Sequence, residues 1–186
     1  RTNAGAGGGL LLGQAGVLHG ALAHSNNRAG SGSLANIGYS WRKGPFNLSL
    51  DSTRTHGQWR DVASRYGSLP PRISERALVG VSSAHAGSFS VSYLNLRYPD
   101  QPGSRYASGF WSRAFGPLAM NISLNQNLDQ HSDRSVFLGL SLSLDSHLQV
   151  GTSAQHDRGR TRFSVNAAQP IPGDGGFGWR SQAQFG

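Results

Sequence analysis

Residues 118–128 and 136–144 alternate between aliphatic and small or polar side chains, with Gln126 as the one interruption. Successive side chains of a β-strand point to opposite faces of a sheet, so this pattern predicts two strands with one aliphatic and one polar face each. The predicted aliphatic face carries Leu118, Met120, Ile122, Leu124, Leu128, Val136, Leu138, Leu140, Leu142 and Leu144. The predicted polar face carries Ala119, Asn121, Ser123, Asn125, Asn127, Phe137, Gly139, Ser141 and Ser143.

Weaker copies of this alternation recur along the chain. They lie at 37–41, 46–50, 89–96, 106–115, 148–154, 163–167 and 177–183. Together with a Gly-rich opening segment they predict about ten or eleven strands of roughly 9–11 residues. Short turns at 43–45, 85–87, 116–117 and 145–146 alternate along the chain with longer loops near 24–33, 56–74, 99–104 and 128–134. Such a regular exchange of short and long connections predicts an up-and-down antiparallel sheet.

The composition favours a membrane barrel over a soluble sheet. Charged residues make up only 14% of the chain, against about 25% in typical soluble domains, and the polar faces consist mainly of Ser, Asn, Gly and Gln. A strand of about 10 residues tilted by about 45° rises near 23 Å, which matches the apolar band of an outer-membrane barrel. Aromatic residues near the predicted strand ends suit the interfacial girdle of such a barrel; they are Trp41, Phe46, Phe115, Phe177 and Trp179.

We therefore expect an all-β fold, an antiparallel up-and-down transmembrane β-barrel or an incomplete segment of a larger one. The residues expected to face lipid are Met120, Ile122, Leu124, Leu138, Leu140 and Leu142. The residues expected to face the lumen are Asn121, Ser123, Asn125, Ser141 and Ser143. The main alternative is a soluble, basic β-sandwich that binds glycan or nucleic acid, because sandwich strands alternate in the same way.

The chemistry of a catalytic or cofactor site is not recognisable in the sequence. The absence of cysteine excludes disulfides and thiolate metal sites, and the seven histidines lack metal-ligand spacing. Gly173, Gly175 and Gly178 match a dinucleotide fingerprint, but without a strand–helix context they indicate a turn. Two His–Asp pairs, His131 with Asp133 and His156 with Asp157, fall in predicted loops, where chance proximity explains them. We expect no enzyme activity, no metal and no cofactor.

The net charge of +8 comes from sixteen arginines and one lysine against nine acidic residues. The arginines are scattered over most loops and strand ends, whereas nucleic-acid binding needs them gathered in one stripe. We therefore expect no nucleic-acid partner. Most of these arginines are expected to be solvated. Those on a lumen wall would influence which cargo surfaces slide past the wall.

The first 33 residues are expected to form a Gly-rich N-terminal strand or loop region, separate from a barrel segment of about ten antiparallel strands at 34–186. The stretch Leu10 to Ala23 is mildly apolar and ends in an Ala-x-Ala pattern typical of signal-peptidase sites. Gln14, His19 and several glycines interrupt it, which favours a strand or linker.

The runs 134–144, 59–64, 173–180 and 157–161 resemble segments of the outer-membrane usher family of the chaperone–usher pilus pathway. The strand-like run Arg134 to Leu144 is similar to an usher strand, as is Trp59 to Ser64 in the long loop before Ser74-Glu75-Arg76. The Gly-rich stretch Gly173 to Arg180 and the turn Asp157 to Thr161 also resemble this family. The resemblance covers residues 34–186, and none of its motifs is catalytic.

The resemblance implies a fragment of a large pore in the bacterial outer membrane. Ushers receive chaperone–subunit complexes from the periplasm, promote pilin polymerisation by donor-strand exchange, and secrete the fibre through the lumen. The implied partners are periplasmic chaperone–pilin complexes, contacted through domains that this sequence does not show, and outer-membrane lipid. Another outer-membrane β-barrel, a porin or an autotransporter translocator, is the alternative within the membrane class.

Overall fold

The computed structural model describes residues 2–27, 30–60, 70–130, 132–144, 148–171 and 175–186. Within them the chain forms twelve β-strands and one 3-10 turn, Gly13–Ala15. The strands are β1 (Thr2–Leu11), β2 (Val17–Asn27), β3 (Gly30–Lys43), β4 (Phe46–Gly57), β5 (Ile73–Ser83), β6 (Gly87–Arg97), β7 (Ser104–Phe115), β8 (Leu118–Asn127), β9 (Arg134–Ser143), β10 (Gln149–Asp157), β11 (Arg160–Gln169) and β12 (Trp179–Phe185).

The twelve strands follow one another in a single sheet in the order of the sequence. The chain runs up and down through antiparallel neighbours, as in β1–β2, β3–β4 and β8–β9. The predicted all-β, up-and-down antiparallel architecture is therefore confirmed. None of the described helical residues forms a segment long and apolar enough to span a membrane.

The strand count differs from the ten or eleven expected, for two reasons. The Gly-rich opening forms two paired strands, β1 and β2, rather than one strand or a loop. Strand β5 was not recognised because Glu75 lies among its apolar positions and Leu78 among its polar ones. These segments alternate weakly, but hydrogen bonds to a neighbouring strand stabilise them as strands. Such pairing cannot be recognised from the periodicity of the sequence.

One predicted connection is wrong, and the expected division into residues 1–33 and 34–186 stays a prediction. Strand β3 runs through the expected division between residues 33 and 34. Most of the loop expected near 24–33 is strand, since β2 ends at Asn27 and β3 begins at Gly30. Residues 61–69 of the expected loop at 56–74, and the expected turn at 145–146, lie outside the described residues.

By its internal contacts the chain divides into two units, Arg1–Val81 with Val91–Ala107, and Ser82–Ser90 with Ser108–Gly186. In the first unit, one row of directly opposed residues across β1 to β5 consists of Leu10, Leu18, Tyr39, Leu50 and Ala77. In the second unit, a row across β8 to β11 consists of Ile122, Leu138, Ala154 and Phe163. Directly opposed residues share a face of the sheet, so each unit has a continuous apolar face.

Neither apolar face is packed into a core. Among the described residues, no hydrophobic side chain is buried, and the buried polar side chains are Ser25, Thr55, Asn95 and Asn127. A β-sandwich buries the inner faces of its two sheets against each other. The described part of the chain has no such layer.

Candidate functional site: the polar face of the sheet

The residues expected to face lipid and lumen lie on opposite faces of β8 and β9. The register pairs Met120 with Leu140 and Ile122 with Leu138, while Leu124 opposes Val136 and Leu142 opposes Leu118. We call the side of the sheet that carries these residues the aliphatic face. The register pairs Asn121 with Gly139, Asn125 with Ser135 and Ser141 with Ala119 on the other side, which we call the polar face. Ser123 and Ser143 share the polar face because they lie two residues from Asn121 and Ser141. Contact of the two faces with lipid and with water remains a prediction.

Amide side chains on the polar face lie across glycines of the neighbouring strand. A Cβ atom on Gly139 would come within 2.2 Å of Asn121 Oδ1, and one on Gly151 within 2.7 Å of Asn166 Oδ1. Each amide opposes its glycine directly in the register. Only glycine leaves space for this arrangement, so the amides lie flat against the sheet. This arrangement was not predicted from the sequence, although glycines within strand alternation were a usable signal.

These residues line an open groove of about 640 Å³ on the polar face of the second unit. Its lining includes Ser112, Asn121, Ser141, Gln149 and Asn166. Oδ1 of Asn121 is buried without a hydrogen-bond partner among the described residues. Ser141 and Gln149 are exposed in this lining, so their hydroxyl and amide groups are open to solvent, whereas Oδ1 of Asn121 is covered by the sheet.

The polar face of the first unit is organised differently, around His19 and Asp51. The Nε2 atom of His19 lies 3.1 Å from Oδ1 of Asp51, although the two residues are 32 positions apart and on β2 and β4. They meet above Gly38 of β3, which opposes both in the register. A Cβ atom there would lie 2.2 Å from the His19 ring. Nearby, Asn36 Nδ2 donates to Thr53 Oγ1 at 2.9 Å, so these polar groups satisfy one another.

The His19–Asp51 pair lacks the geometry of a nucleophilic site. The hydroxyl of Ser49 donates to Oδ2 of Asp51 at 3.2 Å, which places the carboxylate between the serine and the histidine. A catalytic triad needs the histidine in the middle, where it can accept the proton of the hydroxyl. No group of three or more potential metal-binding side chains occurs in the described part of the chain.

The structure describes one of the two His–Asp pairs noted in the sequence. His131 lies outside the described residues. His156 Nδ1 lies 2.8 Å from Thr161 Oγ1 across the β10–β11 hairpin. Asp157 follows His156 in the same strand, so its side chain lies on the opposite face.

Tryptophan side chains donate hydrogen bonds to main-chain or amide oxygens near the strand ends. In the first unit, Trp41 Nε1 donates to the carbonyl of Gln14 at 3.2 Å. In the second unit, Trp111 Nε1 donates to the carbonyl of Ala86 at 2.9 Å, and Trp179 Nε1 donates to Gln169 Oε1 at 3.0 Å. An indole with its N–H satisfied at a strand end and its ring on the surface suits the interface of a membrane.

Protein-family models, curated proteins and solved structures contain no match to this chain. The likeness to ushers therefore rests on sequence segments alone. Of these, the run Arg134 to Leu144 contains β9, and the turn Asp157 to Thr161 forms the β10–β11 hairpin. Arg158 and Gly159 have φ values of 48° and 80°, as a tight two-residue hairpin turn requires. Residues 61–64 and 173–174 of the other segments lie outside the described residues.

A charged cluster joins the β8–β9 loop to the β10–β11 turn. Nε of Arg158 donates to Oδ1 of Asp133 at 3.1 Å, and Asn127 Nδ2 donates to Oδ2 of Asp133 at 3.4 Å. The hydrogen bond from Arg158 holds the pKa of the Asp133 carboxyl below its usual value of 3.8, and desolvation of the carboxyl opposes this only in part. The backbone N–H groups of Asp129 and Gln130 donate to Asn127 Oδ1, which orders the start of the loop.

This lowered pKa predicts how the cluster responds to pH. The stabilisation from ionised Asp133 is fully present above 3.8 and is lost as the pH falls through the lower pKa of the folded state. We expect the Asp133 carboxyl carbon to titrate by NMR with a midpoint below 3.8, and the midpoint to rise when Arg158 is replaced by glutamine. Equal midpoints in the two proteins would show that Arg158 does not stabilise the carboxylate.

Proposed function

We propose that this sheet is part of the wall of a β-barrel in the bacterial outer membrane, crossed many times by the chain, and that the barrel is an usher pore. In this proposal the pore assembles and secretes pilus subunits delivered by a periplasmic chaperone, and it has no enzyme activity or cofactor. The observation that carries the membrane assignment is the absence of any buried hydrophobic side chain among the described residues, although aliphatic residues share one face.

An uncovered apolar face of this extent is costly in water. Burial of apolar surface stabilises by roughly 25 cal/mol per Å², so rows of exposed Leu, Val and Phe need lipid or a partner to cover them. Ile37 and Val91 of the first unit are 57% and 65% exposed, and Phe163 of the second unit is 53% exposed. The hydrocarbon of a bilayer covers such a face without requiring a second protein layer.

The polar face supports a water-filled passage rather than a packed interior. Its side chains on β8 and β9 are mostly amides, hydroxyls and glycine, which water can solvate without fixed ion pairs. A large secreted cargo would slide past such a surface without being held by strong charges. The choice of an usher over another barrel is supported by the sequence resemblance of residues 34–186.

Cysteine accessibility tests the orientation of the sheet, and the chain contains no cysteine to interfere. Leu140→Cys and Ser141→Cys are neighbours on opposite faces of β9. In outer-membrane vesicles we expect a membrane-impermeant maleimide to label Ser141→Cys and not Leu140→Cys, with both labelled after denaturation. Equal labelling of the two native variants, or recovery of the protein as a detergent-free soluble monomer, would overturn the membrane assignment.

Deletion in the cells that make the protein tests the usher assignment separately. Removal of the codons for residues 34–186 is expected to abolish surface fibres in electron micrographs and to leave chaperone–subunit complexes in the periplasm. Loss of solute uptake with intact fibres would identify a porin instead. Loss of a single secreted passenger domain would identify an autotransporter translocator.

A further inference from the structure

We propose that the groove on the polar face of β8 to β11 binds a neutral oligosaccharide. The site goes beyond the proposed role in pilus secretion and does not depend on it, because it needs only the polar face of the second unit. Its volume of about 640 Å³ lies within the range of roughly 300–1,000 Å³ that is usual for small-ligand sites.

The lining of the groove carries hydrogen-bonding groups that are open to a ligand. Ser141 and Gln149 are exposed, and Asn121 and Asn166 are partly exposed beside them. By contrast, His19 on the polar face of the first unit is paired with Asp51. Amides and hydroxyls supply both donors and acceptors, which matches the dual character of sugar hydroxyls.

The described lining of the groove carries little charge. Among its described residues there is no carboxylate, and Arg113 is the one cationic residue. The guanidinium carbon of Arg113 lies 4.4 Å from the centre of the Phe115 ring, so this charge is engaged with an aromatic face. A lining with so few charged groups attracts charged ligands weakly, which favours a neutral ligand.

The strand pairing around the groove favours a sugar over a peptide. An extended peptide commonly binds by adding a strand to a sheet edge, but β9 and β10 are hydrogen-bonded on both sides. The Phe137 ring lies beside Gly139, where a Cβ would be 3.0 Å from it, and this partly exposed ring can stack against the C–H surface of a sugar ring. Side-chain amides can then bond to the sugar hydroxyls while the aromatic ring packs against the C–H surface of the sugar. Neither contact needs a free backbone edge.

The test is binding of maltotriose, cellotriose and the neutral, fully N-acetylated chitotriose to the full chain. Saturation-transfer difference NMR measures the binding. The protein is held in lauryldimethylamine oxide, a detergent without a sugar head group, and the signal from empty micelles is subtracted. We expect saturation transfer to at least one trisaccharide, with an affinity that does not change between low and high salt because the ligand is neutral.

Matched asparagine variants locate the site. Asn121→Leu and Asn166→Leu are each expected to weaken binding about tenfold, because each removes an amide N–H group that can donate to a sugar hydroxyl. The control is Asn47→Leu, since Asn47 also lies across an opposed glycine, Gly80, but in the first unit and outside the groove. This variant is expected to bind as the unmodified chain does.

Three results would overturn the proposal. They are no saturation transfer to any of the three sugars, equal weakening by Asn47→Leu, and tighter binding of a neutral hexapeptide of serine, glycine and asparagine than of any sugar. Each can occur whether or not the deletion described above abolishes fibres, so failure of the sugar site and failure of the usher assignment are distinguishable.

Discussion

Replacement of Leu140 by arginine is expected to lower the free energy of unfolding in lipid vesicles by about 2–4 kcal/mol, if the residue lies near the bilayer midplane. Leu140 lies on the aliphatic face of β9, between Met120 of β8 and Thr152 of β10. An arginine there would bring its charge into hydrocarbon, away from water. Neither of the two opposed residues, Met120 and Thr152, carries a carboxylate that could pair with it. Reversible urea unfolding in vesicles measures the change.

The matched control for this prediction is Ser141→Arg, one residue along the same strand. Ser141 is exposed on the polar face, so its arginine would extend into water and should cost much less than the arginine at Leu140. The comparison cancels the general effect of adding a charge to β9. If the two variants lose equal stability, the aliphatic face does not contact lipid.

Replacement of Gly32 by alanine is expected to detach the chain segment 58–60 from the sheet and to destabilise the first unit by about 1–3 kcal/mol, as overpacking usually does. A Cβ atom on Gly32 would lie 2.1 Å from the backbone nitrogen of Trp59 and 2.5 Å from its Cα. Because these are main-chain atoms, a change of side-chain rotamer cannot relieve the clash. The backbone N–H of Gln58, which donates to the Ser31 carbonyl at 2.9 Å, should then exchange with solvent faster.

Gly20→Ala is the control for the Gly32 substitution. A Cβ on Gly20 would meet nothing closer than the Asn36 carbonyl oxygen at 3.5 Å, which is an ordinary contact. We expect stability within about 0.5 kcal/mol of the unmodified chain and unchanged exchange at Gln58. If Gly32→Ala behaves like Gly20→Ala in hydrogen-exchange mass spectrometry, the segment does not rest on Gly32.

The predictable part of the fold is the part that local alternation specifies. In β8 and β9, the two-residue period assigned Met120 and Leu138 to one face and Asn121 and Ser141 to the other, and the register agrees. The same reasoning did not separate β1 from β2, where Gly and Ala provide little contrast between faces, and it missed β5, where Leu78 and Glu75 interrupt the alternation. These strands are specified by hydrogen bonds to a neighbour more than by their own side chains.

The features of the candidate site depend on which residues oppose each other across strands. Asn121 reaches Gly139, Asn166 reaches Gly151 and Arg158 reaches Asp133 because of the register and the connections. His19 and Asp51 meet only because Gly38 of the intervening strand has no side chain to separate them. None of these pairs is marked by spacing in the sequence, since several registers are compatible with the same alternation.

The amino-acid order was sufficient to specify a β-sheet with an aliphatic and a polar face, because the direction of a strand side chain depends only on its position in the two-residue period. It was not sufficient to specify cross-strand neighbours, since these depend on hydrogen-bond register and on the conformation of each turn. The groove, the His19–Asp51 pair and the Asp133–Arg158 link therefore emerge only when the strands are assembled.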